Sequence, residues 1–263
     1  MSKQTDGKRP LRLEDEKKTF GEGLSFAAAE AYRLLRTNVL FALPFASLSE
    51  GQTCRVIGIT SSLSGEGKST TALNMACVLA ESGRKILLVE ADMRLPTISK
   101  RLGLEKKEGL SNLLAGLCEA EKVLQPSGLQ EQLWIVGSGE TPPNPSELLG
   151  SGRMRDAINR YAAEFDFIIL DLPPVNEVSD ALVVSRLTHG MVMVVRQGYA
   201  TRSSVSAAMR QLGYVDAKVL GFVMTHANIQ TGKYKSYYKG KYGYSYAGAG
   251  KAKESKTKKG KTQ

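Results

Sequence analysis

A β-rich run, Arg55-Val56-Ile57-Gly58-Ile59-Thr60, leads into Ser62-Leu63-Ser64-Gly65-Glu66-Gly67-Lys68-Ser69-Thr70, and a helical run from Thr71 to Ala80 leads out. Strand, glycine loop, Lys-Ser and helix in that order make the P-loop arrangement, in which context counts as much as the letters. Gly65 and Gly67 let the backbone turn its N–H groups toward an anion, at a helix N-terminus that already carries partial positive charge. The loop from Ser64 to Thr70 is expected to cradle phosphates, with Lys68 reaching the β- and γ-phosphates and the Ser69 hydroxyl ligating Mg²⁺. The strict pattern wants a glycine six residues before the lysine, and Ser62 stands there instead. The competing reading is an ordinary Gly-rich turn between a strand and a helix.

The remaining chain alternates around this loop. Lys85–Val89, Leu133–Val136, Phe167–Leu172, Met191–Arg196 and Val219–Met224 are apolar runs of strand length. Their apolarity is continuous rather than alternating, which suits parallel strands buried on both faces. Between them a short helix pair is expected over Gly109–Leu124, a Pro-rich loop over Gly139–Pro145, and a helix capped by Ser146 running to about Ala163. Further helices are expected over Asp180–Leu187 and Thr201–Leu212. The alternation predicts an α/β fold with a doubly wound, mostly parallel sheet. Ahead of it, Ser25–Phe41 has helical spacing with Ser25 as N-cap, and Pro44 ends it. Glu30, Arg33 and Arg36 lie three apart on one face, which taken alone reads as a solvated amphipathic helix.

Two of the strands end in acids, Glu90-Ala91-Asp92-Met93-Arg94 and Asp171-Leu172-Pro173-Pro174. The C-terminal ends of parallel strands are where such sheets bind ligands. If those strands are neighbours, Lys68, Ser69, Glu90, Asp92 and Asp171 converge on a nucleoside triphosphate with Mg²⁺. Asp171 looks like a Walker-B aspartate, which holds the metal through water. Two acids on one strand end exceed what a metal needs, so one can accept a proton from an attacking hydroxyl. The competing reading has Glu90 or Asp92 capping the following turn. His189 and His226 have no partner at catalytic spacing, and Trp134 and the methionines read as packing residues.

At 263 residues the chain is long enough for one sizeable α/β domain with appendages. No apolar run approaches the roughly 20 residues of a membrane span, and the N-terminus lacks the apolar stretch of a secretory signal. Cys54, Cys77 and Cys118 match no metal spacing and read as reduced thiols. A cytoplasmic protein is expected. The net charge of +10 is concentrated at one end, because from Lys233 to Gln263 there are ten lysines against the single acid Glu254. The body is therefore near neutral and the tail cationic. The expected divisions are a flexible arm at 1–24, a P-loop domain at 25–229 including a helix at 25–43, a tyrosine cluster at 230–250 and a lysine-rich tail at 251–263.

Six of the ten tyrosines, Tyr234, Tyr237, Tyr238, Tyr242, Tyr244 and Tyr246, fall between Gly, Ser and Lys in the cluster. Such a stretch cannot build a core. It could stack on nucleic acid, touch an anionic membrane, or present phosphoacceptors on a pliant chain. Tyrosines on a nucleotide-binding protein favour the last.

From Glu30 to Tyr246 the chain resembles the bacterial tyrosine kinases of capsular and extracellular polysaccharide production, in their split cytoplasmic form. Glu30-x-x-Arg33-x-x-Arg36 is similar to that family's oligomerisation helix, Ser64–Thr70 to its Walker A, Glu90–Arg94 to its second acidic motif and Asp171–Pro174 to its Walker B. Pro142–Leu149 and the tyrosine cluster also have counterparts. Two positions depart: Glu90 and Leu172 stand where Asp and Thr are usual. The resemblance implies a P-loop NTPase fold of the MinD/ParA-like type, with ATP and Mg²⁺ as cofactors. Ser69, Asp92 and Asp171 would serve the metal, and Glu90 would be the base for the tyrosine hydroxyl. The implied enzyme phosphorylates its neighbours' tails in a ring, an octamer, with Glu30, Arg33 and Arg36 at the subunit contact. Phosphorylation would offset the tail's positive charge and let the ring come apart, a cycle that governs polymer length and export. Implied partners are a separate transmembrane adaptor that recruits the chain to the inner face of the membrane, a tyrosine phosphatase and further protein substrates, without specific nucleic acid. The alternative is a ParA/MinD-type positioning ATPase, whose signature lysine is replaced here by Leu63. A scaffold that has lost its chemistry is a third possibility.

Overall fold

The computed structural model describes residues 23–43, 54–104 and 107–227, and as far as His226 they belong to one folded unit. The arm as far as Glu22, the tyrosine cluster, the lysine tail and Pro44 lie outside the described residues.

The elements are α1 (Phe26–Ala42), β1 (Arg55–Ser61), α2 (Lys68–Ala80), β2 (Ile86–Glu90), α3 (Ile98–Leu102), α4 (Leu110–Ala115), α5 (Ala120–Val123), β3 (Leu124–Pro126) and β4 (Leu133–Val136). There follow α6 (Pro145–Leu149), α7 (Gly152–Ala162), β5 (Phe167–Asp171), α8 (Asp180–Ser185), β6 (Gly190–Arg196), α9 (Arg202–Tyr214) and β7 (Val219–Thr225). The described strands form one sheet in the order β3-β4-β2-β5-β1-β6-β7. All pairings are parallel except β3 with β4.

From β1 the chain moves outward to β2 and β4, and after β5 it crosses to β6 and β7 on the other side. The winding therefore reverses at β1, and a ligand crevice belongs outside the strand ends there. Register brings the acids into that crevice: Asp171 lies opposite Glu90 on one side and Ile59 on the other.

Strands β1, β2 and β5 are buried along their whole length, as parallel strands covered on both faces must be. One face carries Ile57, Ile59, Leu88, Ile135, Phe167 and Ile169 against α1 and α2. The other carries Val56, Leu87, Val89, Ile168, Leu170 and Met193 against α4 to α9. The Ser25 hydroxyl caps α1 by accepting the Ala28 N–H at 3.3 Å. Val39 and the following Leu43 anchor the helix, each only 3% exposed, and burials of that size contribute about 1.5–3 kcal/mol each.

Three local expectations need correction. The helix expected from Ser146 to Ala163 is two helices, α6 and α7, because Gly150-Ser151 interrupts it and Ser151 starts the second by accepting the Met154 N–H at 3.3 Å. Ser146 caps neither, since Pro145 opens α6 after Asn144. The pair expected over Gly109–Leu124 ends in the short antiparallel strand β3, and α3 was not foreseen.

Candidate active site

The loop between β1 and α2 owes its shape to its own residues. Gly65 and Gly67 have φ of 78° and 91°, a left-handed region that favours glycine. Gly67 ends the loop, and α2 begins at Lys68 with no side-chain cap and no acid in its first turn. Its leading N–H groups are left for an anion. The departure at Ser62 has a physical reason. The fully buried Glu66 carboxylate turns back and accepts the Ser62 N–H at 2.7 Å, the Leu63 N–H at 3.0 Å and the Ser62 hydroxyl at 3.0 Å. A serine and a glutamate thus fold the turn that a glycine would otherwise make. On the far side, the Thr225 hydroxyl donates to the Glu66 carbonyl at 2.7 Å and Arg196 donates to the Gly65 carbonyl at 3.2 Å. The Thr70 hydroxyl accepts from Arg101 at 3.1 Å.

Beneath the loop, Lys68 Nζ lies 2.6 Å from Asp92 Oδ2, 3.7 Å from Asp171 Oδ1 and 3.3 Å from the Ser69 hydroxyl. Burial alone would lower the Lys68 pKa, but Asp171 and Asp92 outweigh it and raise it. Asp171 is fully buried, and among the described residues neither of its oxygens accepts a hydrogen bond. Burial pushes its pKa up to about 6 against the pull of Lys68. A buried carboxylate with no hydrogen bond, beside a hydroxyl and a second acid, fits a hard cation. No group of three or more His, Cys, Asp or Glu side chains able to hold a metal occurs among the described residues. One or two carboxylates are what Mg²⁺ takes from a protein when phosphates and water complete its shell.

Glu90 is held by four donors. Its side chain reaches away from the phosphate loop to the start of α3, where Oε1 accepts the N–H groups of Thr97 at 2.6 Å and Ile98 at 2.5 Å. Oε2 accepts the Ser99 N–H at 2.9 Å and the Ser99 hydroxyl. A carboxylate has about four lone-pair sites, and all are taken in a residue that is 0% exposed. In the nucleotide-free chain Glu90 thus caps the turn after β2, the competing reading of this acid, and the methylene that distinguishes it from Asp supplies the reach.

Sequence reasoning missed a second cluster. Arg94 donates to both oxygens of the buried Asp180, at 2.9 and 3.2 Å, and to the Ser146 hydroxyl at 3.2 Å, while Ser146 also donates to Asp180. This pins the loops after β2 and β5 to α6. The pairing is visible only in three dimensions, since the three residues come from separate segments. On α1, Arg33 pairs with Glu30 at 2.6 Å and Glu81 at 3.4 Å, and Arg36 donates to the Val78 carbonyl at 2.5 Å. In the single chain these arginines fasten α1 to the end of α2. His189 is also more than a loop residue, since its Nδ1 accepts the Val56 N–H at 2.9 Å.

The chain matches a family described as an AAA domain over residues 54–203. It is 35% identical over 210 residues to the tyrosine-protein kinase YwqD of Bacillus subtilis, covering 80% of this chain and 86% of that one. It is 34% identical over 217 residues to the tyrosine-protein kinase CpsD of Streptococcus agalactiae, covering 81% and 89%. The solved kinase domain of the Escherichia coli tyrosine kinase ETK superposes with a TM-score of 0.69 at 33% identity, covering 78% of this chain and 79% of that one.

Proposed function

The chain belongs to the bacterial tyrosine-protein kinases of capsular and extracellular polysaccharide synthesis, and from that premise we propose how it binds ATP and which tyrosines it modifies. The triphosphate lies along the N–H groups of residues 64–70 and the N-terminus of α2. Lys68 turns from its carboxylates to the outer phosphate oxygens. Ser69, Asp92 and Asp171 hold Mg²⁺, directly or through water, and the metal when bound offsets charge on the β- and γ-phosphates. The single observation that supports this reading is the Lys68 ammonium held between Asp92 and Asp171 under an uncapped helix start.

The acceptors are Tyr234, Tyr237, Tyr238, Tyr242, Tyr244 and Tyr246, delivered in trans by a neighbouring copy in a ring of eight. Glu30, Arg33 and Arg36 form the contact between copies. Each phosphate adds about −1.5 to −2 near neutral pH, so several reverse the tail's charge and loosen the ring. A transmembrane adaptor recruits the chain to the inner face of the membrane, and a tyrosine phosphatase resets the tail. Other proteins are also phosphorylated.

The test is to incubate the full chain, with and without residues 234–246, with ATP and Mg²⁺ and to map phosphate by mass spectrometry, alongside Lys68→Met. Phosphotyrosine confined to the cluster and abolished in Lys68→Met is expected. Phosphotyrosine that persists in Lys68→Met would remove the loop from the mechanism, and phosphate outside the cluster would move the acceptor.

A further inference from the structure

Away from the phosphate loop, α7 and α8 border a cavity of about 330 Å³, within the size range of small-ligand sites. Leu149, Leu182, Leu187 and Val215 give it an apolar side. Leu149 belongs to the core, and Leu182 and Leu187 pack half-buried against it. Two exposed arginines, Arg155 of α7 and Arg186 just after α8, line the same cavity, and no acid does.

The fold has no use for this pair of charges. Arg33, Arg94 and Arg160 each meet an acid, and Arg153 donates to the Leu114 carbonyl at 3.2 Å. Among the described residues, Arg155 and Arg186 make neither an ion pair nor a side-chain hydrogen bond. Arg155 also stands near the start of α7, which has no acid in its first turn, and a cation is disfavoured at that end of a helix. Like charges beside one apolar cavity repel each other, and an anion bound between them would offset the cost.

We infer that this cavity binds phosphotyrosine, supplied by the tail of a second copy of the chain. The ring fills the apolar side, and the two guanidinium groups hold the phosphate, whose oxygens their planar fork matches. A free anion would leave the aliphatic side chains without a partner, so the phosphate has to arrive on an apolar body. The chain's own tail offers six tyrosines among Gly, Ser and Lys, and arginine clusters are a recurring reader of such phosphorylated segments. The cavity is also close to the loops of the nucleotide site. Leu182 follows Asp180 by two residues, about 3 Å along the helix axis, and Asp180 holds Arg94. A tail captured there stays near the copy that modified it and presents its remaining tyrosines at a raised local concentration.

Because the occupant rests on the tail tyrosines being the acceptors, the test supplies the phosphate synthetically and needs no transfer by the enzyme. A peptide of residues 230–248 with all its tyrosines phosphorylated is titrated into the phosphatase-treated full chain, with Mg²⁺–ADP present, and followed by fluorescence anisotropy. It is expected to bind about tenfold or more tightly than the unmodified peptide, or than one with phosphoserine at those positions. Arg155→Ala and Arg186→Ala are each expected to lose about tenfold or more of that affinity while melting at the wild-type temperature, since neither side chain has a partner to lose. A phosphoserine peptide that binds equally well shows that charge alone is read and overturns the assignment. So does an affinity that both arginine variants leave unchanged. Phenyl phosphate that binds through the arginines where the peptide does not would overturn the tail as the source.

Discussion

At the scale of single residues, Asp171 has the most to lose from its position. It holds a proton more tightly folded than unfolded, about 6 against 3.8. Its charge therefore costs stability above about pH 6, and the cost fades as pH falls toward the unfolded value. Asp171→Asn keeps the shape and leaves Lys68 its contact with Asp92. The nucleotide-free variant is expected to be more stable than wild type at pH 7.5, by at most about 3 kcal/mol, and the gap should close toward pH 5. Urea unfolding at both pH values checks this, and a gap that widens on acidification would contradict it. Asp171 was legible in the sequence because an apolar run ending in Asp-x-Pro-Pro has few other meanings. The pairing of Arg94 with Asp180 was not, because the two residues come from separate segments and only folding brings them together.

Among the elements, α3 shows most clearly where sequence reading stops. Five residues give no amphipathic period to detect, and the helix is held from outside by a carboxylate on β2. Glu90→Gln puts N–H donors against the Thr97, Ile98 and Ser99 donors and is expected to cost about 1–3 kcal/mol, lowering the melting temperature together with turnover. Glu90→Asp is expected to fall short of α3 and to be destabilised too. Turnover lost at full thermal stability would instead return Glu90 to proton chemistry. The long strands and helices were legible because apolar runs and loop residues mark them. The break at Gly150-Ser151 was missed because the residues on either side continue a helical pattern.

On the scale of the whole molecule, α1 has one observed task and a second one proposed for it. Arg33 and Arg36 already bind the end of α2 within one chain, while Glu30 and Arg33 remain partly exposed, at 49% and 41%. Replacing Glu30, Arg33 and Arg36 by alanine is expected to give monomers by light scattering with the rest of the fold intact. A mass equal to that of the wild-type assembly would make α1 a packing helix only. The doubly wound, mostly parallel sheet was legible at this scale, since alternating strands and helices admit few topologies, whereas the switch point at β1 came only with the strand order. The contact assigned to Glu30, Arg33 and Arg36 came from resemblance alone, because contacts between copies leave no periodicity in one chain.

The lysine held between two aspartates also bears on the form of nucleotide that the proposed site would admit. Lys68, Asp92 and Asp171 together carry one excess negative charge above about pH 6. A bare triphosphate meets repulsion there, whereas one already carrying a divalent cation brings the missing counter-charge with it. Under the proposed mode of binding, the rate is expected to follow the supply of the magnesium salt rather than of the nucleotide alone.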